Sequence, residues 1–186
     1  MTTNLIAKQA GISPGNLYYY FKDKSHIIRK IYELMIQDWE TIYEQVEDQS
    51  LPGEALRGFV DSNFELLWKY RFFYRETVAL MYADPILASR QTEVTTERFE
   101  RQRRFLQKAA QEGILHFSNP ERELDEVLTI GWIIANNYLV HIESLGKKVE
   151  KSDYKTGTDL VLKILYPYQI ETHLTQISNH KESNHE

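Results

Sequence analysis

The run Thr3-Asn4-Leu5-Ile6-Ala7-Lys8-Gln9-Ala10-Gly11-Ile12-Ser13-Pro14-Gly15-Asn16-Leu17-Tyr18-Tyr19-Tyr20-Phe21-Lys22-Asp23-Lys24 decides how this 186-residue chain is read. Thr2 or Thr3 suits a helix N-cap, its hydroxyl accepting from a free N–H of the first turn. Leu5, Ile6 and Ala10 follow at helical spacing. Gly11 suits the left-handed residue that closes a helix. Ser13 then caps a second helix, with Pro14 in its first turn, where a missing N–H costs nothing. Two short helices joined by a tight glycine turn form a helix-turn-helix unit. Leu17 and Phe21 are spaced i, i+4 and are expected to face inward with Ile6, Ala10 and Ile12. Gly15, Asn16, Tyr18 and Tyr19 are left facing outward, with Tyr20 either outside or packed along the rim.

A solvated helix face normally carries Glu and Lys, and three consecutive tyrosines are a poor choice for solubility alone. They suit DNA. Gly15 lets a backbone approach a groove wall, and Asn16 can donate and accept at a base edge. Tyrosine hydroxyls, Ser13 and the helix N-terminus can bond phosphate oxygens. Lys22 and Lys24 can neutralise phosphates. The competing reading makes the tyrosines packing residues and the lysines ordinary surface charge.

The pattern Ile6-Ala7-Lys8-x-Ala10-Gly11-Ile12-Ser13-x-Gly15-x-Leu17-Tyr18-x-Tyr20-Phe21-x-x-Lys24 resembles the DNA-reading half of the TetR family of bacterial transcriptional regulators. The resemblance implies a recognition helix from Pro14 to Tyr20 lying in the major groove. It further implies phosphate contacts at Thr3, Ser13, Tyr18 and Lys24, and base-edge positions at Asn4, Gly15, Asn16 and Tyr19. Tyr20 matches a position that can serve either role. Family members carry a further helix before the first threonine, bracing the DNA-facing pair. That helix is not written in this sequence. A start assigned too late, a trimmed chain and a naturally short protein are the three explanations.

Charge is distributed as a regulator needs. The net charge is -5, yet residues 1–34 hold five basic side chains (Lys8, Lys22, Lys24, Arg29, Lys30) against Asp23 and Glu33, a balance of +3. The remainder therefore carries -8. A basic head on an acidic body is the asymmetry expected when one end meets phosphate. There is no cysteine, hence no disulfide framework. No signal peptide or long apolar run is present, which predicts a cytoplasmic protein with no membrane partner.

The body reads as successive helices and no strands, so the expected class is all-α: a helix-turn-helix head, lacking its first helix, on a helical bundle. Residues 1–47 form the head and connecting helix, 48–178 the effector-binding and dimerisation body, and 179–186 a polar tail. Lys24 to Glu47 is one amphipathic run, with Ile27, Ile28, Ile31, Leu34, Met35, Ile42 and Val46 as its apolar stripe. Pro52-Gly53 marks a break. Glu54 to Tyr70 and an aromatic segment Arg71 to Met81 follow. Asp84-Pro85 opens the next helix and Gly113 ends it. Ser118 or Asn119 with Pro120 opens another, ending at Gly146. Pro167 is expected to kink or split a last helical region, Ser152 to Ile177, near Tyr166.

The segment Leu124 to Leu145 is apolar nearly all round and should be buried on more than one side. The resemblance implies a two-fold homodimer through helices 120–145 and 154–177, presenting two recognition helices about 34 Å apart, or a multiple, to a palindrome on double-stranded DNA. Trp68, Tyr70, Phe72, Phe73, Tyr74 and Tyr82 crowd into fifteen residues. With Phe99 and Trp132 facing them, and Asn63, Asn136, Asn137 and His141 as polar groups, they predict a pocket for a small, largely apolar effector. The expected effector contacts are Trp68, Phe72, Tyr82, Phe99, Trp132, Asn136 and His141. Against this stands the general fact that aromatic residues at helical spacing are core more often than pocket.

Catalysis finds no support. There is no glycine-rich phosphate loop and no HExxH, and His26, His116, His141 and His173 lack metal-ligand spacing. No cofactor is expected. The reading is a TetR-like repressor released from its operator by an effector. The alternative is a ligand-binding and dimerisation module without DNA activity.

Overall fold

A computed structural model describes residues 2–47 and 55–170. They form α1 (Thr3–Gln9), α2 (Pro14–Tyr20), α3 (Lys24–Glu47), α4 (Ala55–Lys69), α5 (Arg71–Ala83), α6 (Pro85–Gln111), α7 (Pro120–Ser144) and α8 (Asp153–Leu165). A 3-10 turn, Tyr166–Tyr168, follows α8. The described residues contain no strand, only an isolated antiparallel bridge between Leu115 and Gln169. The fold is all-α. The Pro52-Gly53 break and everything beyond Ile170 lie outside the described residues.

Helix ends follow local chemistry. Thr2, rather than Thr3, caps α1, its hydroxyl accepting from Leu5 N–H at 3.4 Å. Ser13 caps α2, accepting from Asn16 N–H at 3.1 Å, with Pro14 in the first turn. Asp23 Oδ1 accepts from His26 N–H at 2.7 Å and so starts α3. Gly11, Gly113 and Gly146 adopt positive φ of 69°, 74° and 73° just past helix ends. Asn119 precedes α7 but makes no side-chain cap; instead Glu123 reaches back and accepts from the Asn119 N–H at 3.1 Å. α8 stops at Leu165, just before Pro167, and tightens into the 3-10 turn; the continuation expected to Ile177 lies outside the described residues.

The chain builds a small core and a large one. Ala7, Leu17 and Ile27 are the buried centre of the small core, with Ile6, Ile12, Phe21 and Ile31 packed around them. Ala10, expected inward, is exposed; Ala7, one turn earlier, is the fully buried residue. Leu5 remains 44% exposed. The large core runs through α3 to α8, with Tyr32, Met35, Trp39, Tyr43, Phe64 and Phe73 among its most buried members. One α3 expectation fails here, and three buried residues are unanticipated. Leu34 is 55% exposed, while Tyr32, Trp39 and Tyr43, outside the aliphatic stripe, are buried. α7 is also less enclosed than expected, since Ile130 and Ile133 lie open.

Candidate functional site

The first candidate site is the outer face of α1 and α2. The Ser13 cap and the Gly11 turn set the two helices at a fixed angle. Leu17 anchors α2 inward, so the side chains on its other faces point out. Tyr18, Tyr19 and Tyr20 are all exposed, Tyr19 to 82%. Tyr20 is therefore an outward residue, and its ring meets Tyr19 edge-on at 5.0 Å between centroids. Thr3 Oγ1 and Tyr18 Oη share a hydrogen bond of 2.7 Å, which places both hydroxyls at one point between α1 and α2. Asn4, Ser13, Pro14, Gly15 and Asn16 are exposed as well, and Lys22 and Lys24 flank the start of α3. A Cβ added to Gly15 would meet only Ser13 Oγ, at 3.9 Å. Nothing among the described residues requires glycine there.

The second candidate site is a cavity between α4, α6, α7 and α8, with about 760 Å³ of space including its open mouth. Phe59, Phe64, Leu67, Phe105 and Val127 give it an apolar wall. Asn63, Arg98, Gln102 and Asn136 supply its polar groups. Of the expected contacts, Trp132 and Asn136 line it. Phe99 stands behind Trp132, 6.1 Å away between ring centroids, and does not line the cavity. The remaining expectations are corrected. Trp68 packs with Leu139, Ile142 and Val149 in a separate cluster. Phe72 is exposed, Tyr82 is 87% exposed, and His141 lies on the open face of α7. The crowded aromatics divide: Tyr70 and Phe73 are buried in the large core and Tyr74 packs against it, Phe72 and Tyr82 are exposed, and none of them lines the cavity.

Sequence reasoning misses Arg98. Its signal is present: it follows Val94 by one helical turn on the inward stripe that continues to Phe105. Its guanidinium lies 3.4 Å from the ring centroid of Trp39 and 5.0 Å from that of Trp132. Burial raises the phenols of Tyr32 and Tyr74 far above their ordinary range, against the opposing pull of Arg98, so both stay neutral.

Among the described residues no group of His, Cys, Asp and Glu is arranged to hold a metal. No described helix is long and apolar enough to cross a membrane.

A family model described as "Bacterial transcriptional repressor" (TetR) matches residues 22–177. A second, "Bacterial regulatory proteins, tetR family", matches residues 1–31. The chain is 36% identical over 63 residues to the fatty acid metabolism regulator protein of Bacillus subtilis (strain 168); the match spans 33% of this chain and 32% of that protein. Its fold is similar to a TetR-family transcriptional regulator from Marinobacter aquaeolei VT8, with TM-score 0.86 and 29% identity over 98% of this chain and 88% of that one. It is also similar in fold to the TetR-family regulator PfmR of Thermus thermophilus, with TM-score 0.65 and 17% identity over 89% and 87% of the two chains. Members of the matched family are transcriptional regulators rather than enzymes; they bind DNA operators and small effectors and form dimers. The family models cover the helix-turn-helix and the helical body alike, and the chain belongs to the TetR family of bacterial transcriptional regulators.

Proposed function

We propose that this chain is a repressor that binds a palindromic operator as a homodimer and is released by a small, largely apolar effector. The observation that carries the reading is the exposed face of α2. Asn16, Tyr18, Tyr19 and Tyr20 lie outside both cores, and Gly15 has no internal reason to be glycine. A groove wall supplies both reasons. In this reading Asn4, Gly15, Asn16 and Tyr19 meet base edges, with Pro14 leading the helix into the groove. Thr3, Ser13, Tyr18, Lys22 and Lys24 hold phosphates, and Tyr20 serves either role.

Residues 1–47 act as the reading head and its connection, and residues 48–178 as the effector-binding and dimerisation body. The open apolar residues Ile130 and Ile133, with Asn137 and His141 one and two turns on, support α7 as a dimer helix. The name of the Bacillus subtilis relative, together with the apolar cavity wall, supports an aliphatic effector. A protein bound to the bacterial chromosome works in the cytoplasm.

The test is binding of the protein to a fragment of its own promoter across a salt series. Salt-dependent binding that disappears in Asn16→Ala plus Tyr18→Ala is the expected result. Absence of binding by the parent chain, with a folded spectrum, overturns the proposal and leaves a ligand-binding module.

A further inference from the structure

We propose that the effector is an amphiphile, an aliphatic chain ending in an anionic head, with the tail in the α4–α6–α7–α8 cavity and the head on Arg98. The inference rests on the effector-gated reading for its biological meaning, and on the cavity for its chemistry. Among the described residues no carboxylate lines the cavity. Asn63 and Asn136 already donate their amide nitrogens to Phe59 and Trp132 carbonyls, at 2.8 and 2.9 Å. Arg98 is therefore the charge that an occupant meets.

Arg98 differs from its neighbours along α6. Arg90 pairs with Glu33, Arg101 with Glu40 and Arg103 with Asp125. Arg98 meets the rings of Trp39 and Trp132 instead of a carboxylate, and its Nε is buried without a hydrogen-bond partner. Arg98 is half-buried, and a cation partly withdrawn from water without a carboxylate partner carries a desolvation cost that an incoming anion offsets. On the Arg98 side the surroundings are biased the same way, whereas the unpartnered Asn63 Oδ1 across the cavity is an acceptor. Trp39 Nε1 and the hydroxyls of Tyr32 and Tyr43 are buried and also lack partners, and the buried Tyr74 hydroxyl lies against Arg98 itself. These are N–H and O–H groups, and burial keeps Tyr32 and Tyr74 protonated, as hydrogen-bond donors. Donors gathered at a guanidinium, with an apolar chamber beside them, fit a head of carboxylate or phosphate chemistry on a hydrocarbon tail. Three of those donor residues, Tyr32, Trp39 and Tyr43, stand on α3, the helix that also carries the head. No described α3 residue lines the cavity, so an anion on Arg98 would reach α3 through Trp39, whose ring lies against the guanidinium.

The test uses calorimetry on the full chain without DNA, with dodecanoate, dodecyl phosphate and 1-dodecanol as probes. Dodecanoate or dodecyl phosphate is expected to bind at least tenfold more tightly than dodecanol, and the tighter of the two identifies the head. Arg98→Met is expected to remove the preference while leaving dodecanol affinity within threefold, and Arg98→Lys to keep part of it. Should Arg98→Met fail to fold, Tyr74→Phe keeps the ring and is expected to weaken the anions alone. Equal affinity for dodecanol, no binding by any probe, or a preference that survives loss of Arg98 overturns the proposal. Arg98-dependent anion binding that fails to displace DNA leaves this site standing and overturns the gating mechanism instead.

Discussion

Arg29 on α3 and Asp84 at the start of α6 meet through one carboxylate with two tasks. Asp84 Oδ2 accepts from Arg29 Nη1 at 2.5 Å, while Oδ1 accepts from the N–H groups of Ile86 and Leu87 at 3.1 and 3.2 Å. Asp84 is 6% exposed, so both tasks are performed largely out of water. Glu33–Arg90 and Glu40–Arg101 continue the connection of α3 to α6. Removing the side chain with Asp84→Ala is expected to cost about 2–4 kcal/mol, since a cap and a charged hydrogen bond go together. Asp84→Asn keeps a capping oxygen and is expected to cost about half as much. Denaturant unfolding of the two variants checks the order.

Gly157 on α8 is held against Phe64 of α4. A Cβ there would stand 2.9 Å from Phe64 Cζ and closer still to Cε1, and Phe64 is fully buried. Gly157→Ala is expected to destabilise by about 1–3 kcal/mol despite alanine's better helix propensity. Adding Phe64→Leu should recover part of the loss, which a double-mutant cycle in denaturant measures.

On the DNA side, Lys22 and Asn16 should fail in different ways. Lys22→Ala is expected to weaken operator and random DNA alike and to lower the salt slope by about one. Asn16→Ala is expected to cost about 1–3 kcal/mol on the operator and little on random DNA. Fluorescence anisotropy with both DNAs over a salt series separates them.

Asp38 on α3 gives a pH signature. Burial alone would raise its pKa, but hydrogen bonds from Lys69 and Tyr70, both at 2.6 Å, outweigh it and hold the carboxyl below its ordinary 3.8. A depressed carboxylate stabilises the fold above its unfolded pKa, and that contribution is lost as pH falls through the lower, folded value. Lys69 is more than half exposed and the Asp38 side chain about a third, so solvent weakens the pair. Asp38→Asn is therefore expected to lower stability at neutral pH by less than about 1 kcal/mol. The difference should disappear in strong acid. Unfolding curves over a pH series check both parts.

Helix ends are legible in the sequence because their causes are local. Gly11, Gly113, Gly146, Asp84-Pro85 and Pro167 each act within a turn of their own position. The inward face of α3 is not, because an aliphatic stripe places Leu34 inside and leaves Tyr32, Trp39 and Tyr43 out of account. Their rings fill the large core although each carries a polar atom, a choice made by helices far away in sequence. The cavity escapes for the same reason. The crowded aromatics of α5 share a sequence neighbourhood, whereas Asn63, Arg98 and Trp132 meet only after α4, α6 and α7 have packed. The outward face of α2 is legible since Leu17 and a capped start at Ser13 fix the helix's rotation by themselves.

α3 has 24 residues, and Ile31 along it packs against both the small core and the large one. The two cores therefore share a rod rather than a hinge. At 1.5 Å per residue the rod is roughly 36 Å long, so a tilt of about 5° at one end moves the other by about 3 Å. Successive base pairs are about 3.4 Å apart. In the proposed mechanism a tilt of the rod begun around Trp39 would be magnified toward α2, and in the proposed dimer two copies tilting in opposite senses would double the error in spacing.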